Sequence, residues 1–301
     1  MSSYQYFSLF FDRRVIAKIS DQSNIYCHQQ TGREEQITPE DIEQFLGILL
    51  LMGIVKIPCY RMYWSTATRY SPIADVMTRN RFQEIKRFLH FSDNTDMKTR
   101  GQDGYDKLFK IRPFLDDIRK NFLKIDPEPE QSIDEIMVPT KARCNLRQYN
   151  PNKSHKFGIE VTGRAGKSGF LHDFEVYEGK SNKPVEGPWG VSGEIVLKLL
   201  SSLENGKYFR IFADNWFSSY SLVMKLKACG FEYTGTVRKN RVPLNSLKTD
   251  SELKSSGRGS YDSKESEDGI KVTKWLDNKT IHLISTYGAV LPSDTVSLIY
   301  M

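Results

Sequence analysis

At 301 residues, with 39% hydrophobic and 12% aromatic side chains, the chain has enough apolar material for one large domain or two ordinary ones, which excludes a disordered polymer. Its 43 basic and 37 acidic side chains leave a net charge of +6, and the four cysteines, Cys27, Cys59, Cys144 and Cys229, form no C-x-x-C pair, so neither a zinc module nor a disulfide framework is indicated, which fits a reducing compartment. No basic leader precedes the apolar residues 4–11, and the longest apolar run, 45–55, falls short of the roughly 20 residues that span a bilayer, so a soluble protein without a membrane partner is expected.

Residues 1–130 read as helical. Thr38-Pro39-Glu40-Asp41 supplies a cap, an N1 proline and an acidic first turn ahead of Ile42, Phe45, Leu46, Leu49 and Leu50 at helical spacing. Thr78 caps a second helix whose apolar face is Phe82, Ile85, Phe88 and Leu89; its Arg79, Arg81, Lys86 and Arg87 read as a solvated face. A third helical segment is expected over 105–122. Pro127 and Pro129 stop helix continuation, and the first domain boundary is placed after residue 130.

Beyond it the pattern turns to strands. Residues 132–138 form a strand, and 157–162 faces 170–177 as a hairpin across 163–169. A helix over 192–203, a strand over 208–213, a helix from about Ser218 with Gly230 as its stop, and a strand over 231–237 complete an α/β pattern for 131–237. In 238–301 the polar stretch 247–268 reads as a mobile loop, 270–275 and 280–285 as a short hairpin, and a strand-like stretch precedes Met301.

Two aspartates stand out. Asp134 interrupts an otherwise apolar strand beside Glu135, and Asp214 ends the run 208–213 just before Asn215-Trp216-Phe217. Either can be a plain turn or cap residue. Brought together, they would repel without a cation between them. Mg2+ suits such a pair because it takes oxygen ligands and is usually held through one or two carboxylates plus substrate phosphates; two such ions serve phosphodiester chemistry. Residues 137–167 carry seven basic side chains, Lys141, Arg143, Arg147, Lys153, Lys156, Arg164 and Lys167, against Glu160 alone, which points to a polyanion partner beside Asp134.

Ser132-Ile133-Asp134-Glu135, Lys141-Ala142-Arg143 and Gln148-Tyr149-Asn150-Pro151-Asn152-Lys153 with Lys156-Phe157-Gly158-Ile159 resemble the first catalytic block of piggyBac-type transposases. Phe174-Glu175-Val176-Tyr177-Glu178-Gly179-Lys180, Ala213-Asp214-Asn215-Trp216-Phe217-Ser218-Ser219 and Gly235-Thr236-Val237-Arg238 continue the match in order, as do 38–52 and 88–94. The resemblance implies an RNase H-like core, a mixed sheet with flanking helices, over 131–237. It also implies a helical dimerisation and DNA-binding region over 1–130 and part of an insertion domain over 238–301.

It further implies a nuclear protein descended from enzymes of cut-and-paste DNA transposition, which join DNA at TTAA targets. Asp134 and Asp214 would be catalytic metal ligands for Mg2+, and Lys141, Arg143, Arg147, Lys153, Lys156 and Arg238 contacts to double-stranded DNA. Trp216 is expected to pack rather than stack on bases. The family's third aspartate, in a glycine-glycine-valine-aspartate context, has no counterpart before Met301; Asp277 and Asp294 fall too early. The chain therefore reads as a fragment, short isoform or domesticated copy with impaired catalysis, because placement errors of about 1 Å in such a site can cost about a hundredfold in rate. The alternative is a non-catalytic DNA-binding or protein-interaction protein, pairing with itself or with full-length relatives. An unrelated nuclease of the same core would need a further acid near the pair, with Glu135 and Asp173 the candidates.

Overall fold

Backbone capping accounts for where the first helices begin. In the computed structural model, which describes residues 1–33, 36–151, 153–179, 187–242 and 247–288, the side chains of Ser2, Asp12, Thr38 and Thr78 accept from first-turn amides. They open α1 (Ser3–Phe10), α2 (Arg13–Thr31), α3 (Pro39–Ile54) and α5 (Arg79–Phe88), with the single turn α4 (Ser71–Ala74) between the last two. Asn152, Lys180, Asp294 and the strand-like stretch before Met301 lie outside the described residues. The chain divides into two compact units, Met1–Lys124 and Ile125–Met301.

In the first unit Ile42, Phe45 and Ile48 of α3 are buried, as are Phe82, Ile85 and Phe88 of α5, and the Phe45 and Phe82 rings lie 4.9 Å apart. Arg81 is spent inside the unit, on Asp41 at 2.7 Å and Glu84 at 2.6 Å. The third helix, α6 (Arg112–Phe122), is shorter than the expected 105–122. Asp106 accepts both the Leu108 amide and the Arg112 guanidinium, so the residues ahead of Pro113 form turns instead.

The second unit is one mixed sheet of nine strands among the described residues, in the order β2-β3-β1-β5-β6-β9-β8-β7, with β4 also pairing β3. Its strands are β1 (Glu130–Pro139), β2 (Arg147–Tyr149), β3 (Phe157–Gly166), β4 (Leu171–Val176), β5 (Arg210–Ala213), β6 (Glu232–Thr236), β7 (Tyr261–Glu265), β8 (Lys271–Leu276) and β9 (Thr280–Ser285). β1, β5 and β6 run parallel; the other pairings are antiparallel. Helices α7 (Gly190–Leu200) and α8 (Tyr220–Ala228) bury Val196, Leu199, Leu222 and Leu226 with Ile133, Ile211 and Tyr233 of the strands.

Strand alternation then leaves Ser132, Asp134, Ile136 and Val138 exposed on the other face of β1. The stretch 247–268 is not the loop its polarity suggests: it holds α9 (Asp250–Ser256), opened by a Thr249–Glu252 capping box, and β7, which pairs with β8. No helix among the described residues is long and apolar enough to cross a membrane.

Candidate active site

The parallel register of β1 and β5 aligns Ile133 with Ala213. The next residues are Asp134 and Asp214, so two carboxylates emerge side by side from strands about 4.8 Å apart, both exposed on the face away from α7. Asp134 Oδ1 accepts the Glu135 amide at 2.7 Å, and Asp214 Oδ1 accepts the Trp216 amide at 2.7 Å, which folds the chain back after β5. Gly163 stands opposite Asp134, and a Cβ there would meet Leu171 and Ile136 side chains at 2.7 and 2.9 Å.

The Asp214 turn is fastened from three sides. Ser218 donates its amide and Oγ to the Asp214 carbonyl at 3.2 and 2.9 Å, and its Oγ lies 2.7 Å from Tyr233 Oη. Arg241 Nη1 donates to the carbonyls of Asn215, Trp216 and Ser218, and Arg238 Nε donates to Asn215 Oδ1 at 3.1 Å. Gly235, opposite Ala213, lets these groups close in: a Cβ would fall 2.5 Å from the Ala213 carbonyl and 2.7 Å from Ser218 Oγ. Sequence reasoning did not find Ser218, Tyr233 or Arg241. The serine could have been suspected from its place beside the helix cap, but nothing local marks the other two.

Glu135 alternates to the opposite side of β1 and remains electrostatically joined to the pair. Burial, a hydrogen bond with Asp134 and the Asp214 charge push its carboxyl up, against the pull of Lys153. Lys153 Nζ lies 3.6 Å from Glu135 Oε2 and donates to the Glu135 carbonyl at 3.2 Å, so its charge is directed at Glu135. Lys141, Arg143, Arg147, Lys156 and Arg238 are exposed.

Two expected contributors lie elsewhere. Arg164, counted in the basic stretch, is buried, donating to Gln131 Oε1 (2.7 Å), Ser202 Oγ (2.9 Å) and the Leu199 carbonyl (2.9 Å). Asp173 is buried opposite Arg164 on β4, two strands from β1. It is not a third acid at the pair. Among the described residues no three His, Cys, Asp or Glu side chains converge on a metal-sized site. The two hard, exposed carboxylates do fit Mg2+ in kind, since that ion is commonly held through one or two carboxylates and retains waters.

Residues 2–298 match the family described as Transposase IS4. The chain belongs to the piggyBac-type transposase family. It is 32% identical over 295 residues to human PiggyBac transposable element-derived protein 3, covering 96% of this chain and 49% of that protein. To human PiggyBac transposable element-derived protein 2 it is 31% identical over 293 residues, covering 95% and 48%. The chain thus spans about half the length of these relatives. The piggyBac transposase in a cryo-EM synaptic complex with hairpin DNA superposes with a TM-score of 0.81 at 22% identity, over 97% of this chain and 62% of that one. The likeness establishes the fold, the expected RNase H-like mixed sheet with flanking helices, and the family places the chain's ancestry among DNA transposases.

Proposed function

We propose that the chain is a nuclear, DNA-binding protein of transposase descent, in which Asp134 and Asp214 hold Mg2+ on the open face of the sheet. The observation that carries this reading is the β1–β5 register, which sets Asp134, midway along β1, beside Asp214, the residue that follows the end of β5. When bound, Mg2+ supplies the Lewis acidity for phosphodiester hydrolysis and strand transfer. The chain's own residues do the rest: the Ser218, Arg238 and Arg241 contacts fix the Asp214 turn, and Lys141, Arg143, Arg147, Lys156 and Arg238 offer cations to phosphates beside it.

In the same reading residues 1–130 form the dimerisation and DNA-binding region, 131–237 the core, and 238–301 part of an insertion domain. A polypeptide of these 301 residues alone is expected to nick DNA feebly, since among the described residues two carboxylates, and no third, meet on the open face. The absence of a three-ligand cluster among the described residues favours, as second reading, a non-catalytic DNA-binding protein. Two measurements test the proposal. Log K for duplex DNA should fall linearly with log salt, by about 0.9 per phosphate contacted; a flat dependence would sink DNA binding. Mg2+ or Mn2+ should raise the melting temperature, and Asp134→Asn or Asp214→Asn should abolish that rise. An equal rise in the variants would remove the pair as the metal site.

A further inference from the structure

Both helices that flank β5 begin at the end of the sheet where that strand stops, because α7 leads into β5 and α8 leads out of it. The crevice outside the carboxyl ends of parallel strands is where α/β sheets commonly take small ligands. Between these two helix starts lies a recess of about 660 Å³, within the roughly 300–1,000 Å³ usual for small-molecule sites. Trp189, Ser192, Trp216, Tyr220, Ser221 and Arg241 are among its lining residues. Trp189, Trp216 and Tyr220 pack against the core that α7 and α8 bury, so the recess lies on the helical side of the Asp214 turn, away from the face that carries Asp134.

The fold leaves several hydrogen-bond donors of this recess without acceptors. No side chain caps α7, so the amides of its first turn have no intrahelical or side-chain partner. Ser192, in that turn, is only 9% exposed, and its hydroxyl has no hydrogen-bond partner among the described residues. Arg241 donates through Nη1 to the carbonyls of Asn215, Trp216 and Ser218, while its Nε and Nη2 reach no acceptor and no carboxylate pairs with it among the described residues. Burial first, and the Arg238 charge second, push its pKa down against the pull of Asp214, as befits a cation short of a counter-charge. None of the lining residues is acidic, and Glu194, the one acid of α7, accepts the Gly187 amide at 3.2 Å. The wall opposite is braced: Ser221 Oγ donates to the Pro188 carbonyl at 3.3 Å and lies 3.3 Å from Ser219 Oγ, which accepts the Leu222 amide.

Free amides at a helix start, a buried hydroxyl and the unengaged side of a guanidinium together suit an anion with several oxygens, and phosphate matches both the helix start and the forked cation. Phosphate alone would fill a small part of this volume. The remaining walls are the half-buried rings of Trp189, Trp216 and Tyr220, which accept a flat ring but not a paired duplex, whose bases are stacked on one another. We propose that this recess binds a free nucleoside phosphate, with the phosphate at the start of α7 against Ser192 and Arg241 and the base against the aromatic walls. The site is separate from the face assigned to DNA and does not depend on that reading.

Isothermal titration calorimetry on the 301-residue chain tests this with adenosine monophosphate, inorganic phosphate and adenosine. The nucleotide should bind at least about tenfold more tightly than either of its parts, the size of one stacking contact or one hydrogen bond to a charged group. Ser192→Ala should weaken nucleotide and phosphate alike by about tenfold. Trp216→Leu should weaken the nucleotide about tenfold and leave inorganic phosphate as it was, which shows the anion end still folded. Val191→Glu, at a 53% exposed position of the same turn, places a carboxylate in the mouth while favouring the helix start, so it should abolish nucleotide binding without lowering the melting temperature. Duplex DNA binding should be unchanged in Ser192→Ala and Val191→Glu, and a duplex should not displace the nucleotide. Absence of nucleotide binding at millimolar concentration, equal affinity for nucleotide and phosphate, or unchanged nucleotide binding in Ser192→Ala and Val191→Glu overturns the site while leaving the DNA reading intact. Displacement of the nucleotide by duplex also overturns it, because the recess would then belong to the DNA path.

Discussion

Ser218 links the Asp214 turn to the buried side of the sheet, because it donates to the Asp214 carbonyl and so receives the Tyr233 hydroxyl as donor. Tyr233 is fully buried, and that burial, helped by the Asp214 charge, pushes its phenol up from 10.0 to about 12. The folded state therefore keeps a proton that the unfolded state releases between pH 10 and about 12, so stability from this group is complete below pH 10 and is lost as pH rises through that window. Tyr233→Phe removes the hydrogen bond, at a cost of about 1 kcal/mol at pH 8, and removes the titration with it. Urea midpoints of parent and variant should therefore converge between pH 8 and pH 11. A constant gap would mean the phenol is not held protonated by its surroundings.

At the scale of elements, α9 and β7 show what local polarity conceals. Leu253 is the one buried side chain of α9, and Thr249 with Glu252 closes the reciprocal cap at its start. Leu253→Ala should cost about 2–5 kcal/mol and Thr249→Ala about 1 kcal/mol by denaturant unfolding. Were 247–268 a loop, both would stay within about 0.5 kcal/mol of the parent. A short helix with one anchor, followed by an edge strand carrying Lys264 and Glu265, has too little apolar periodicity to be read from sequence. The helices α3 and α5, the strand β1 and the β8–β9 pair were legible because caps, alternation and turn residues mark them within a few positions. At the site, Asp134 and Asp214 were visible as acids inside apolar runs. Their adjacency was expected only through the family resemblance, since it depends on pairing strands eighty residues apart, whereas Arg241, which acts through backbone carbonyls, and the burial of Arg164, a residue type usually found in water, were not legible at all.

Over the whole molecule the excess positive charge is not concentrated in either unit. Met1–Lys124 holds 19 basic and 15 acidic side chains, and Ile125–Met301 holds 24 and 22. What separates them from a uniform mixture is the layout of the second unit: 136–159 contains no acid, whereas Asp250, Glu252, Asp262, Glu265, Glu267 and Asp268 crowd into 250–268. Screening in about 0.15 M salt acts over roughly 8 Å, so a bound polyanion senses the nearby layout far more than the total. Lys141→Glu with Arg143→Glu should therefore weaken duplex binding and flatten its salt dependence by about two units of log–log slope, because two phosphate contacts go. Lys254→Glu with Lys264→Glu, which changes the net charge by the same amount at exposed positions of α9 and β7, should leave the slope as it was. Equal flattening by both pairs would assign the attraction to total charge and would overturn the proposal that DNA lies against the region around Arg147.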